Sequence, residues 1–243
     1  MVDIHCHILP GLDDGSDNFE ESLRMARLAV SGGTTAVVTT PHSNIPGSYQ
    51  NYFGKEYAEK FKEFNSRLKA ENIPLKIYPG NEIFADENVV ELVKSKKLLT
   101  LNNSDYLLVE FDFVEHSASV YDKLETYIAE GFIPVVAHPE RYAFVIEDDF
   151  APYRLKEMGC LLQVNKGSLK GSFGRGAYYV SHEILRRELA DVVASDAHSP
   201  YMRTPYLADA YEMISEIYSE DYAELLLTEN PENILNNKKI HTF

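Results

Sequence analysis

Imidazole and carboxylate side chains recur in this 243-residue chain at one kind of place, just beyond the last apolar residue of a short run. His5 and His7, His42, Glu82, Glu110, His138, Asn165, and then Asp196 with His198 all stand there, so five of the eight histidines share the arrangement. Nitrogen and oxygen ligands in this mixture suit manganese, iron or zinc better than copper or calcium. Asp3-Ile4-His5-Cys6-His7 is the strongest local signal, because histidines two apart on an extended segment project to the same side and can share an ion. Ser195-Asp196-Ala197-His198 repeats that alternation. Asp13-Asp14-Gly15 reads as a turn offering a further carboxylate, with Asp14 the expected ligand. Glu110 directly continues Tyr106-Leu107-Leu108-Val109, where a buried carboxylate is costly unless paired or metal-bound. Arg141, three residues past His138, and Arg203, five past His198, supply the planar fork that grips phosphate oxygens. Asn165 is expected to orient a ligand or a water rather than to bind metal.

Several divalent ions can be held close together only if ligands converge from many segments, which the ends of parallel strands in a β/α barrel achieve. The runs that would form those strands are Val2 to Ile4, Thr35 to Thr39, Leu75 to Tyr78, Tyr106 to Val109, Phe132 to Ala137, Cys160 to Val164, and Asp191 to Ala194. Helical patterns lie between them. Phe19, Leu23, Ala26 and Val30 mark one, with Asp17 and Glu20 placed like an N-terminal cap and Gly32-Gly33 as its stop. Phe53, Tyr57, Phe61, Phe64 and Leu68 mark another, and similar patterns cover 89–93, 120–128, 153–158, 178–189 and 207–217. Strands alternating with helices predict a parallel α/β fold, and seven units with no second sheet region favour an irregular closed barrel over an open doubly wound sheet. Tyr49, Tyr52, Phe53, Phe113, Tyr142 and Tyr201 surround the expected mouth, most of them as packing residues.

The hydrophobic share of 44% fits one large domain with a real core, and no linker or repeat divides the chain. A net charge of −15 argues against nucleic acid as a partner, since phosphate backbones are held by clustered Lys and Arg. The apolar runs are too short to span a membrane, no signal peptide precedes the first strand, and two cysteines are too few for a disulfide framework. A cytoplasmic setting with no membrane insertion is the expectation.

Asp-Ile-His-Cys-His-Ile-Leu-Pro-Gly-Leu-Asp-Asp-Gly (3 to 15), Thr-Pro-His (40 to 42), Gly-Asn-Glu (80 to 82), His-Pro-Glu-Arg-Tyr (138 to 142) and Ala-Ser-Asp-Ala-His (194 to 198) resemble the motifs of the polymerase-and-histidinol-phosphatase (PHP) superfamily. Within it the chain is similar to the bacterial manganese-dependent protein-tyrosine phosphatases of capsule and exopolysaccharide loci, in motif order and through Asn230 to Leu235. That resemblance implies a distorted (βα)7, TIM-like barrel, one PHP phosphatase domain over 1–243, and three divalent ions, manganese first with iron or zinc as alternatives. By it, His5, His7, Glu82 and Asp196 hold one ion; Glu82 bridges to a second held by Glu110 and His138; Asp14, His42 and His198 hold the third. Arg141 and Arg203 fall at the phosphate-binding arginines. Ser43 stands where some members carry a basic residue.

The implied reaction is hydrolysis of phosphotyrosine on a protein, the expected substrate being the tyrosine-rich tail of a bacterial tyrosine kinase in polysaccharide export. The ions would lower the pKa of a bridging water, and a phenol with a pKa near ~10 is a good leaving group. Cysteine chemistry is disfavoured: a cysteine phosphatase needs arginine six residues past its nucleophile, where Leu12 follows Cys6 and Lys166 follows Cys160. A histidinol-phosphate phosphatase is the nearest rival. A TatD-like nuclease fits less well because Asn165 stands where histidine is usual, and a non-catalytic phosphotyrosine-binding module is disfavoured because every ligand position is filled.

Overall fold

A computed structural model of the chain describes residues 1–240, so the last three positions of the expected 1–243 domain lie outside the described residues. Its strands are β1 (Val2–Cys6), β2 (Ala36–Thr39), β3 (His42–Ser43), β4 (Lys76–Pro79), β5 (Glu82–Phe84), β6 (Tyr106–Glu110), β7 (Ile133–Ala137), β8 (Leu161–Asn165) and β9 (Val192–Ala194). Every named pairing is parallel, as it must be where helices carry the chain back between strands. The longer returning helices are Phe19–Ser31, Lys55–Ala70, Ser117–Ala129, Gly174–Arg186 and Ala208–Ile217, with shorter ones at Val89–Lys94 and Ala151–Glu157. The first helix is capped one residue later than Asp17 and Glu20 suggest. Extended Asn18 accepts from the Glu21 N–H at 3.1 Å, and the Glu21 carboxylate accepts from the Asp17 N–H at 3.0 Å.

The strands fall into two sheets, ordered β1-β2-β4 and β3-β5-β6-β7-β8-β9, where the seven runs suggest a single closed barrel. Two runs are each followed by a second short strand that the runs do not include, β3 after Thr40-Pro41 and β5 after Gly80-Asn81. Proline has no N–H to give a ladder, so the backbone near these breaks must be satisfied otherwise. The buried Tyr57 hydroxyl accepts from the Gly80 N–H at 3.2 Å and lies 2.8 Å from Thr39 Oγ1. Asn81 donates to Ser43 Oγ at 2.7 Å and accepts from the Leu99 N–H at 2.8 Å. At the far edge an isolated bridge pairs Cys6 with Ala197, flanked by Asp196 N–H donating to His5 O and His7 N–H donating to Ala197 O, both at 2.9 Å.

Strands of both sheets turn one face to a shared apolar cluster that includes Ile4, Val38, Leu108, Val135, Val192 and Ala194 and is closed by Leu101 and Ile234. The opposite faces, Leu107, Val136, Leu162 and Val193 among them, pack with Leu124, Ile184 and Ile214 of the helices. Side chains alternate along a strand, so stepping on from the shared cluster brings Glu110 after Leu108, Gln163 and Asn165 after Leu161, and Asp196 after Ala194. The polar residues therefore sit directly over an apolar plug at the carboxyl ends of the strands.

The seam between β1 and the segment after β9 rests on Asp3, fully buried, whose carboxylate accepts from Ser195 N–H at 3.1 Å and Ser195 Oγ–H at 2.5 Å. Asp3→Ala leaves those donors buried without a partner and should lower the free energy of unfolding by about 2 to 4 kcal/mol. Urea denaturation measures it, and an unchanged midpoint would show that the seam does not depend on this carboxylate.

Candidate metal centre

Nine expected ligands come together at those strand ends, from both sheets and one loop. Three groups of ligand atoms each lie within 4.8 Å of one another: His5, His7, Glu82 and Asp196; His7, Asp14, His42 and His198; and His42, Glu82 and Glu110. Each pair of groups shares one residue, His7, Glu82 or His42. The ninth, His138, reaches Glu82 Oε1 through Nε2 at 2.9 Å and lies outside the Glu110 group, where His42 stands instead. His42 Nδ1 is 2.7 Å from Glu110 Oε1, and its Nε2 is 3.6 Å from Asp14 Oδ1.

The hydrogen bonds fix which nitrogen faces inward. His5 Nδ1 donates to Gln163 Oε1 at 2.7 Å, His7 Nδ1 to Asp13 Oδ2 at 2.6 Å, and His198 Nδ1 to the Asp196 carbonyl at 3.0 Å. In a neutral ring this leaves each Nε2 as a lone pair. His5 Nε2 and His7 Nε2 then face each other at 3.2 Å, and both lie 3.2 Å from Glu82 Oε2. That oxygen, His198 Nε2 and His138 Nδ1 are buried with no hydrogen-bond partner. The first two face the cluster, whereas His138 turns Nε2 to it, and converging lone pairs without donors are what a cation removes, so the residues fit divalent metal.

Protons alone would satisfy the cluster poorly. Burial pushes the His42 imidazole down, but the Glu82 charge together with hydrogen bonds to Glu110 and Glu82 outweighs it and holds the ring up at about 10. Burial likewise opposes charge on His7, yet Asp13 raises it well above the usual imidazole value. Burial would raise the Glu82 carboxyl, and the His5 and His42 charges instead hold it well below the ordinary range. Ring centroids only 3.9 Å apart for His7 and His198, and 4.5 Å for His7 and His42, make several imidazolium ions there mutually repulsive.

Of the acidic pair in the first loop, Asp13 is committed elsewhere, accepting also from His42 N–H at 2.8 Å and Gly15 N–H at 2.9 Å. Asp14 points Oδ1 toward His198 Nε2 at 3.5 Å and keeps half its side chain exposed. Gly15 allows this loop to close, since a Cβ there would lie 2.3 Å from His7 O. Three site residues, His138, Asp196 and Arg203, hold left-handed backbone at φ 36, 48 and 51°. Such strain costs about 1–3 kcal/mol each and swings side chains off the strand direction into the mouth.

Both arginines converge on one oxygen. Arg203 Nη2 lies 2.6 Å and Arg141 Nη1 3.7 Å from Asp196 Oδ2, which also accepts from Asn165 Nδ2 at 2.6 Å. Asn165 in turn accepts from Gln163 Nε2 at 2.9 Å, so an amide chain joins His5 to Asp196. Gln163 was not singled out in the sequence, although a polar residue two before Asn165 in an apolar run carried the signal. Glu140 was also missed. It is fully buried and accepts from the Asn165 N–H at 3.1 Å. Among the mouth aromatics, Tyr142 is buried with its hydroxyl on the Phe111 N–H, whereas Phe113 and Tyr201 are exposed. Both cysteines are buried, and burial pushes the Cys160 thiol to about 12, far from a thiolate.

Gln163→Leu removes the acceptor that fixes the His5 tautomer and should weaken metal retention about 10- to 100-fold, measured as metal content after graded chelation. Retention equal to the parent protein would remove the amide chain from the account. The raised His7 and His42 values mean that metal must displace protons at neutral pH, so loading should release protons and tighten as pH rises. In the metal-free protein, the contribution of protonated His42 to stability is full below ~6.5 and is lost as pH climbs to about 10. Calorimetric metal titrations in buffers of different ionisation enthalpy read the proton count, and a count of zero would contradict the charge assignment.

The chain matches the family described as capsular polysaccharide synthesis, CpsB/CapC, over residues 1–236. It is 37% identical over 241 residues to the tyrosine-protein phosphatase YwqE of Bacillus subtilis (strain 168), covering 99% of this chain and 93% of that one. It is 31% identical over 245 residues to the tyrosine-protein phosphatase CpsB of Streptococcus pneumoniae, covering 99% and 100%. The fold superposes with a TM-score of 0.92 and 36% identity on a chain from the crystal structures of those two proteins, described as unique metal-dependent tyrosine phosphatases, covering 100% of this chain and 97% of that one. With ligand groups at its strand ends and a family match running from residue 1 to 236, the chain belongs to the CpsB/CapC family.

Proposed function

We propose that this chain is a metal-dependent phosphomonoesterase that hydrolyses phosphotyrosine on a protein. The observation that carries the reading is the set of interlocked ligand groups beside two guanidiniums that share Asp196 Oδ2. Three divalent ions, manganese foremost, are assigned as follows. His5, His7, Glu82 and Asp196 take the first, and Asp14, His42 and His198 take the third. A neutral imidazole has one lone pair, so His42 serves one ion; that leaves Glu82 and Glu110 to His138 for the second. Bound ions would supply Lewis acidity and a water acidic enough to act as nucleophile near neutral pH.

The chain's own groups do the rest. Arg141 and Arg203 bind phosphoryl oxygens and hold the negative charge that spreads in the transition state. Asn165 and Gln163 keep Asp196 and His5 in orientation. A tyrosinate leaving group, with a pKa near ~10, needs little proton donation, and no cysteine takes part.

The two sheets are read as one distorted (βα)7 barrel of the PHP type. Support comes from the apolar cluster that strands of both sheets enclose and from the Cys6–Ala197 bridge at the open edge. A single phosphatase domain then spans the chain. The named activity of YwqE and CpsB, and the family's link to capsular polysaccharide, support a bacterial tyrosine kinase as the substrate protein. No described helix is long and apolar enough to cross a membrane, in keeping with a cytoplasmic enzyme that meets that kinase.

Manganese-loaded protein should release phosphate from phosphotyrosine peptides faster than from histidinol phosphate and should leave DNA intact, with metal content measured on the same sample. Chelation should abolish turnover and Mn²⁺ restore it. Arg141→Ala should lower kcat/KM about 10²- to 10³-fold, the cost of losing one donor to a developing anion. Replacing both cysteines should spare most turnover. Cleavage of DNA without any monoester hydrolysis would sink the reading.

A further inference from the structure

We infer that Phe173 is a positioning residue for both arginines, and that residue 167 is glycine because that ring must fit against it. The inference rests on the reading that Arg141 and Arg203 hold a phosphoryl group. Arg141 Cζ lies 4.3 Å from the centroid of the Phe173 ring and 4.5 Å from that of Phe113, so its guanidinium lies against two aromatic rings. Arg203 Cζ lies 5.6 Å from the same Phe173 centroid. A cation within ~6 Å of a ring centroid is attracted by the ring quadrupole, and Phe173 thus engages two cations at once. Without the ring, two long side chains of like charge would share one carboxylate oxygen and separate when free to do so.

The backbone that carries this ring begins at the metal centre. Asn165 ends β8, the short helix Lys166–Leu169 follows, and Phe173 directly precedes the helix Gly174–Arg186. A Cβ on Gly167 would stand 2.6 Å from Phe173 Cε2, and an aromatic ring cannot bend away as a flexible chain can. Gly167 is not among the positive-φ glycines, so alanine suits its backbone and the ring is what forbids it. One stretch, 165–173, therefore holds a metal-ligand carboxylate at one end and both phosphate grips at the other. Phe173 also lines two surface hollows, one with Phe113 and Arg141, the other with Lys170 and Arg203.

The test uses the full chain loaded with manganese and two readouts: calorimetric binding of inorganic phosphate, and kcat and KM on a phosphotyrosine peptide. Phe173→Leu should weaken phosphate binding about fivefold and lower kcat/KM at least as much, with metal content unchanged. Phe173→Tyr keeps the ring and should restore both. Gly167→Ala should reproduce the loss by displacing the ring, and in the Phe173→Leu background it should add less than twofold. Parent-like phosphate affinity in Phe173→Leu, or an equal cost of Gly167→Ala with and without Phe173, overturns the inference. Should Phe173→Leu not fold, Gly167→Ala decides alone, since unchanged phosphate affinity there overturns it as well. Phosphate binding without peptide hydrolysis by the parent protein would refute the proposed function while leaving the positioning role readable.

Discussion

Five imidazoles and four carboxylates meet where each removes the others' water, and most of this structure can be understood as what it takes to hold them there. Some contacts are satisfied within the cluster, His138 Nε2 on Glu82 Oε1 and His42 Nδ1 on Glu110 Oε1, but Glu82 Oε2 and His198 Nε2 are buried there without a hydrogen-bond partner. A buried acceptor without a donor costs about 1–3 kcal/mol, so several in one place take up much of a domain's stability of about 5–15 kcal/mol, a cost that a cation would remove. The outward atoms carry the compensation. Gln163, Asp13 and the Asp196 carbonyl take the Nδ1 protons, and Asn165 and two arginines cover the far oxygen of Asp196.

That demand explains why the strands are irregular where they are. Continuous ladders would run the backbone past the mouth, whereas the breaks at Thr40-Pro41 and Gly80-Asn81 let His42 and Glu82 enter on fresh segments. Tyr57 and Asn81 make the breaks tolerable by replacing ladder hydrogen bonds with side-chain ones. At the opposite edge, Asp3 does the same between β1 and Ser195. Left-handed turns at His138 and Asp196 are paid for by the apolar plug beneath, which fixes the strand ends from below.

Much of this was legible in the sequence because ligand chemistry and strand alternation leave periodic marks. Apolar runs gave the strand positions within a residue or two, and their end residues gave the groups that converge. The short strands β3 and β5 beyond two of the runs were not legible, since Thr40-Pro41 and Gly80-Asn81 look like strand ends until Tyr57 is seen filling the gap from a helix. Asp13 and Asp14 differ in sequence by one place, and only the hydrogen bonds from His7, His42 and Gly15 show which is occupied. Phe173 and Gly167 carried no motif at all. Their relation is a contact between a ring and a missing side chain, which no spacing rule records.

The amide chain from His5 through Gln163 and Asn165 to Asp196 has a direction: each member donates onward to the next. Aligned dipoles of this kind polarise one another, so charge arriving at Asp196 is felt at the His5 ring. Carboxamides neither gain nor lose protons in the range where proteins work, so the chain transmits polarisation and no proton. His5 and Asp196, which also face each other directly across 3.4 Å, are therefore joined a second time through the back of the site, by a path that carries polarisation and no proton.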